Sequence, residues 1–104
     1  MSITRYTTPP ITFIVEGVDI TGATTVYATI RQGRTKISKT GNELTLTKVS
    51  SDTQVIFSLS QIEAGQFKKG QAKVQVNWIT GGIRYATEDI IVIINENILD
   101  EVIS

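Results

Sequence analysis

The stretch that decides the fold is QAKVQVNWITGGIRYATEDIIVIINE, residues 71–96. Its first half alternates apolar and polar residues with a period of two, a pattern typical of a strand that is buried on one face. Gly81 and Gly82 then supply a pair suited to a two-residue turn, so the stretch predicts a long antiparallel hairpin. The predicted core-facing set on its first strand is Ala72, Val74, Val76 and Trp78.

The second strand of this hairpin carries a conflict of register. A strict two-residue turn would place Asp89 on the core face, and a carboxylate is costly there. We therefore expect a bulge or a longer loop near Glu88 and Asp89. Beyond it the even positions, beginning with Ile90, are expected to face the core, which leaves Ile91 and Ile93 facing outward.

The rest of the chain has the same β character. Thr, Ile and Val make up 40 of the 104 residues and Leu only 4, which favours half-buried pleated surfaces. We expect an edge strand after Pro9 and Pro10, two alternating strands in TTVYATIRQG and DTQVIFSLS, and two short exposed strands joined by a tight turn at Gly41-Asn42. The predicted fold class is all-β, an immunoglobulin-like two-sheet antiparallel β-sandwich of about seven strands, with a small open barrel as the alternative.

Two short helical segments and a flexible leader complete the predicted single domain, residues 1–104. Ser60 and Glu63 have capping-box spacing, so one helical turn is expected near 60–65, ended by Gly65 in a left-handed conformation. Residues 1–8 are expected to form the leader. The tail, residues 95–104, predicts a short C-terminal helix with Asn95 or Asn97 as its N-cap.

The predicted tail helix is too short to be stable unless its apolar face is buried. It is expected either to fold back over Ile91 and Ile93 or to join them in a patch that binds another copy or another protein. The residues predicted to form such an interface are Ile91, Ile93, Ile98, Leu99, Val102 and Ile103.

Composition excludes most catalytic chemistry. The chain has no Cys and no His, so it lacks the usual metal ligands, general bases and activated nucleophiles. We accordingly assign no catalytic, cofactor-binding or metal-ligating residue and predict a non-enzyme that needs no cofactor. Ten basic and ten acidic residues leave no net charge to attract nucleic acid or a membrane, and neither is expected as a partner. We recognise no signal peptide or transmembrane segment.

The chain resembles a group of short phage and prophage proteins that are encoded among virion structural components and have immunoglobulin-like β-sandwich character. The stretches that carry the resemblance are TTPPITFIVEG, VYATIRQG, KTGNELTL, LSQIEAGQF, KVQVNW, RYATEDI and NENILDEVI. It is also similar to the N-terminal module of phage baseplate upper proteins, without the long region that follows that module. Where members of the group commonly have polar residues in the last strand, this sequence has Ile91 and Ile93.

The resemblance implies a structural or accessory protein of the tail, baseplate or head-tail region. Its partners would be itself, as a homo-oligomer, or other phage structural proteins. It would lie in the host cytoplasm during assembly and then in the virion. The alternative function is a carbohydrate-binding or adhesion module, which requires open aromatic rings. Tyr27 and Tyr85 could supply them, whereas Trp78 continues the core-facing series and is expected to be buried.

Overall fold

The computed structural model describes residues 1–103, which form two β-sheets packed face to face. One α-helix, α1 (Gln61–Gly65), and a 3-10 turn at Gly41–Glu43 lie between strands. The strands are β1 (Ser2–Thr4), β2 (Pro10–Val15), β3 (Thr25–Gln32), β4 (Thr35–Thr40), β5 (Thr45–Val49), β6 (Asp52–Ser58), β7 (Gly70–Thr80), β8 (Ile83–Ala86) and β9 (Ile90–Asn95).

The strand order is that of an immunoglobulin-like sandwich. The larger sheet has the order β1-β9-β7-β3-β4, with β8 also paired to β7, and the smaller sheet has the order β2-β6-β5. These correspond to the G-F-C and B-E-D orders of immunoglobulin domains, with β4 added beside β3 and β1 added in parallel to β9. The all-β sandwich prediction is confirmed, although residues 1–103 form nine strands instead of about seven and β1 pairs in parallel. Because the two sheets share no strand, the open barrel is wrong.

The core lies between the sheets and is built from alternate residues of their strands. The period-two pattern predicted this arrangement, because successive side chains of a strand point to opposite faces. Buried residues on the strands named in the sequence analysis are Val26, Ala28, Ile30, Val55, Phe57, Ala72, Val74, Val76 and Trp78.

The hairpin of residues 71–96 forms as predicted, including its irregularity. Gly81 and Gly82 both have positive φ, +59° and +78°, as a type I′ turn requires. Trp78 pairs with Tyr85, but further along Val74 pairs with Ile90 instead of Asp89, so one extra residue has entered the second strand. The predicted bulge is therefore confirmed, and it keeps Asp89 out of the core.

Thr87 provides hydrogen-bond partners for the backbone of Val76, which lies opposite the bulge. Its N–H donates to the Val76 carbonyl oxygen at 2.9 Å, and its hydroxyl oxygen accepts from the Val76 N–H at 3.1 Å. Beyond the bulge Val92 and Ile94 are buried, as expected for the even positions, although Ile90 at the start of β9 is partly exposed.

A buried threonine fixes the loop that joins β2 to β3. Thr53 on β6 is fully buried, and its hydroxyl accepts from the Ile20 N–H at 3.0 Å and donates to the Val18 carbonyl oxygen at 2.7 Å. These bonds hold the loop against the smaller sheet and place the Ile20 side chain in the core. The hydroxyl replaces backbone partners that an irregular loop lacks.

The two termini differ from their predictions. Residues 1–8 are not an unstructured leader, because Ser2–Thr4 form β1 and the Ile3 side chain is buried in the core. Residues 95–103 contain no helix. The Asn97 Oδ1 accepts the Leu99 N–H at 3.1 Å, as an N-cap would, but no helix follows. The backbone of Ile103 is bonded to the Gln61 side chain instead of to a helical turn.

The helical turn near 60–65 is confirmed, but the role assigned to Gly65 is wrong. The Ser60 hydroxyl accepts the Glu63 N–H, and the Glu63 carboxylate accepts the Ser60 N–H, which completes the capping box. Gly65 is not left-handed, and Gln66, the C-cap residue that follows α1, has a right-handed conformation. A glycine is needed for space, because a Cβ at Gly65 would lie 2.3 Å from Cε1 of Tyr6.

The turn at Gly41 and Asn42 joins strands of different sheets. It is a 3-10 turn with Gly41 at φ +58°, and it carries the chain from β4 in the larger sheet to β5 in the smaller one. The two strands flank this turn as predicted, although each pairs with another strand, β4 with β3 and β5 with β6.

Candidate functional site

The outward pair of β9 is exposed, as the sequence predicted. Ile91 and Ile93, which we call the isoleucine strip, lie on the outer face of the larger sheet with exposed fractions of 51% and 41%. Ile91 lies opposite Lys73 and Ile93 opposite Gln71. Described residues of the tail leave both side chains accessible, so the predicted fold-back over the strip does not occur.

The tail runs instead across the end of the sandwich that carries α1. We call residues 96–103 the C-terminal strap. The Asn97 side chain donates to the Arg5 carbonyl oxygen at 2.9 Å, and the Gln61 side chain makes two bonds to the backbone of Ile103, at 2.9 and 2.7 Å. These bonds fix the backbone of the strap without burying its apolar side chains. Ile98, Leu99, Val102 and Ile103 all remain exposed.

Arg5 connects the strap to the rest of this end, and sequence reasoning missed it. Its guanidinium donates from Nε to the Phe67 carbonyl oxygen at 2.7 Å and from Nη2 to the Gly65 carbonyl oxygen at 2.9 Å, and its Nη1 pairs with Asp100. A guanidinium has five donors in a fixed fork, which suits it to join several carbonyls and a carboxylate. Its partners are 60 to 95 residues away along the chain, so no local pattern signals them.

An ion pair links β4 of the larger sheet to α1. Lys39 Nζ lies 2.8 Å from both carboxylate oxygens of Glu63. The hydrogen bond to Glu63 raises the pKa of Lys39, although partial burial acts in the opposite direction. Burial alone would raise the pKa of Glu63, but hydrogen bonds from Lys39 and from the Ser60 N–H together lower it below its ordinary value. This pair therefore holds α1 in place in its charged form.

A groove of about 460 Å³, the outer groove, lies on the outer face of the larger sheet beside the isoleucine strip. It was not predicted, because it is formed by strands that only the topology brings together. Four cations and one carboxylate line it, together with uncharged polar groups and two apolar side chains. The outward-facing side chains that line it are Tyr27, Thr29, Arg31, Lys36, Ser38, Lys73, Gln75, Asn77, Ile79, Arg84 and Asp89, and the edge of the core residue Trp78 also reaches it.

The exposed tyrosines do not form a common platform. Tyr27 pairs with Asn77, which puts its ring on the outer face, whereas Tyr85 pairs with Trp78 and stacks on its ring with centroids 5.7 Å apart. Trp78 is buried, as predicted. The two exposed rings thus lie on opposite faces of the sheet, and Tyr27 alone lines the outer groove.

Among residues 1–103, no cluster of three or more acidic side chains is placed to hold a metal ion. In the same part of the chain, no helix is both long and apolar enough to cross a lipid bilayer.

No protein-family model and no curated protein matches the chain. Among solved structures, that of murine CRIg is similar over 93% of this chain and 91% of that chain, with 16% sequence identity and a TM-score of 0.43. A likeness this distant carries no argument about function.

Proposed function

We propose that the chain is a non-enzymatic structural or accessory protein of a phage or prophage particle, in its tail, baseplate or head-tail region, and that it acts through protein-protein contacts. The observation that supports this most is the isoleucine strip, which residues 1–103 leave accessible. Together with the strap it presents six large apolar side chains within residues 91–103, each at least 41% exposed. Concentrations of exposed apolar surface are typical of protein contact sites.

The strap is suited to such a contact because it is already ordered. Its backbone is held by Arg5 and Gln61, so a partner that covers its apolar side chains would not have to order the chain as well. Binding to a preorganised segment loses less conformational entropy than binding to a mobile one. The strap is therefore proposed as one contact and the isoleucine strip as the other.

Charge favours a different particle protein over a second copy on the outer face. A two-fold contact would bring the four cations of one outer groove against the same four of its partner, with only Asp89 from each side to compensate. The strap, at the end of the sandwich, is not subject to this repulsion, so homo-oligomers are proposed to form through the strap.

The proposal is tested by locating the protein on particles released from an induced lysogen that encodes it. A gold-labelled antibody raised against the purified chain should mark one fixed region of each particle. We expect the protein in the host cytoplasm before assembly and in the virion afterwards. Absence of label from intact and partly disassembled particles alike, with label confined to the soluble host fraction, would contradict the proposal.

A second candidate function is carbohydrate binding, and the outer groove favours it. The groove combines one exposed aromatic ring, Tyr27, with a floor of hydroxyl and amide side chains. Sugar rings present an apolar face that stacks on an aromatic ring and hydroxyls that exchange hydrogen bonds with such groups.

A further inference from the structure

Basic side chains are concentrated in the outer groove although the chain as a whole is neutral. Four of its ten cations line the groove, against one of its ten acids. Lys73 lies 3.6 Å from Asp89, and both side chains are about half exposed, so this pair compensates little. Arg31, Lys36 and Arg84 form no ion pair within residues 1–103.

Three of these cations are placed directly against one another. Arg31 on β3 pairs across the sheet with Lys36 on β4 and with Lys73 on β7. Like charges at directly opposed positions destabilise a sheet. A local arrangement that opposes stability in this way is typical of a functional site, because a bound anion would remove the repulsion.

The fourth cation lies at the other end of the groove. Arg84 pairs with Ile79, six residues along β7 from Lys73, which corresponds to about 20 Å at the rise of an extended strand. Its guanidinium donates to the Asn77 side-chain oxygen at 3.2 Å, which directs it along the outer face. Because Asn77 is four residues from Lys73, the Arg84 charge lies roughly 13 Å along β7 from Lys73. Cations at this separation suit a chain with repeated negative charges better than a single small anion.

Uncharged hydrogen-bonding groups occupy the space between the cationic ends. Thr29 and Ser38 share a hydrogen bond at 2.8 Å, and beside them lie Gln75 and Asn77. Gln75 Nε2 donates to the Thr87 carbonyl oxygen, and this bond leaves its own side-chain oxygen free to accept. Such a floor suits a ligand rich in hydroxyls, whereas the core of a protein contact is mostly apolar.

We propose that the outer groove binds a carboxylate-bearing oligosaccharide, a class that combines repeated anions with hydroxyls and ring faces. Its carboxylates pair with Arg31 and Lys36 at one end and with Arg84 at the other. Its hydroxyls bond to the floor, and one ring stacks on Tyr27. This inference rests on the second candidate function, carbohydrate binding. It adds the charge of the ligand and the residues that bind that charge.

The test is an amide-proton NMR titration of the intact chain with three probes at low ionic strength. Tetragalacturonate is the acidic sugar, its full methyl ester is the uncharged sugar of the same shape, and hexaglutamate is an acidic chain without sugar rings. We expect tetragalacturonate alone to shift the amides of β3, β4 and β7. Arg31→Gln should weaken its binding about tenfold or more, the loss expected for one charged hydrogen-bonded contact.

Matched variants distinguish binding in the outer groove from nonspecific attraction to basic residues elsewhere on the surface. Arg84→Gln should also weaken binding, whereas Arg34→Gln, in the exposed turn between β3 and β4, should not. Without ligand, Arg31→Gln should unfold at the same or a higher urea concentration, because it relieves the repulsion from Lys36 and Lys73.

Each contrary result has a distinct meaning. Equal binding of the methyl ester would overturn the charge inference and leave carbohydrate binding standing. No binding of either sugar would overturn both the charge inference and carbohydrate binding. Equal binding of hexaglutamate would show that the groove recognises negative charge alone. This result would also overturn the inference that the ligand is an acidic sugar.

Discussion

The buried hydroxyl of Thr53 gives the sharpest prediction for stability. Thr53→Val keeps the size and the β-branched shape of the side chain but removes its hydroxyl. The Ile20 N–H, which is buried, then loses its acceptor, and the Val18 carbonyl oxygen loses its donor. Since no packing is lost, the change in the free energy of unfolding reports these two bonds.

The size of the effect follows from the surroundings of the two groups. Val18 is partly exposed, so water can reach its carbonyl oxygen and replace the lost donor. The Ile20 N–H has no such substitute, and a buried donor left without a partner costs about 1–3 kcal/mol. We therefore expect a loss of about 2 kcal/mol, which lowers the melting temperature of a domain this size by roughly 10 °C.

Urea unfolding followed by fluorescence of Trp78 measures this loss, and amide exchange at Ile20 measures its local cause. Thr47→Val, on the exposed face of β5, is the matched control and should change stability by no more than about 0.5 kcal/mol. If Thr53→Val were as stable as the control, with the Ile20 amide still protected from exchange, the role assigned to the hydroxyl would be refuted.

Two further variants test the end of the sandwich that carries α1. Gly65→Ala should destabilise the fold by about 1–3 kcal/mol in urea unfolding, although Ala is normally the better helix residue, because its Cβ meets the Tyr6 ring. Gly22→Ala, which meets no atom within 4 Å, is its control, and equal effects would contradict the contact. The pKa of Glu63 is lowered in the folded state. Its ion pair with Lys39 therefore stabilises the fold at pH values above the ordinary carboxyl pKa of 4.5. This stabilisation is lost as the pH falls through the lowered pKa. The difference in unfolding free energy between wild type and Glu63→Gln should therefore be constant near neutral pH and shrink in acid, and a difference that stays constant down to about pH 3 would contradict it.

Features that depend on local pattern could be predicted from the sequence. The alternation in β3, β6 and β7 identified their core faces, because a strand has a period of two wherever it lies in the fold. The bulge could be predicted as well, since a strict two-residue turn would have placed Asp89 on the core face, and that conflict marked residues 88–89. The capping box of α1 is also local, and it formed as predicted.

Features that depend on distant partners could not be predicted in this way. The tail has the apolar spacing of a helix, but Asp100 pairs with Arg5 from the other end of the chain and Asn97 bonds to its backbone. β1 has three residues, too few to show a period, and its partner is the last strand. The outer groove likewise exists only after β3, β4, β7 and β8 are placed side by side.

The role proposed for the isoleucine strip, a contact within a phage particle, can be measured through the copy number of the protein per particle. Particles would be purified from hosts that produce wild type, the double variant Ile91→Asp/Ile93→Asp, or Val49→Asp, which is equally exposed but lies on the smaller sheet. Quantitative mass spectrometry should find a fixed copy number for wild type and Val49→Asp. The double variant should be folded in the host lysate yet depleted from particles. Absence of the wild-type protein from particles, or a double variant retained at the wild-type copy number, would contradict the account.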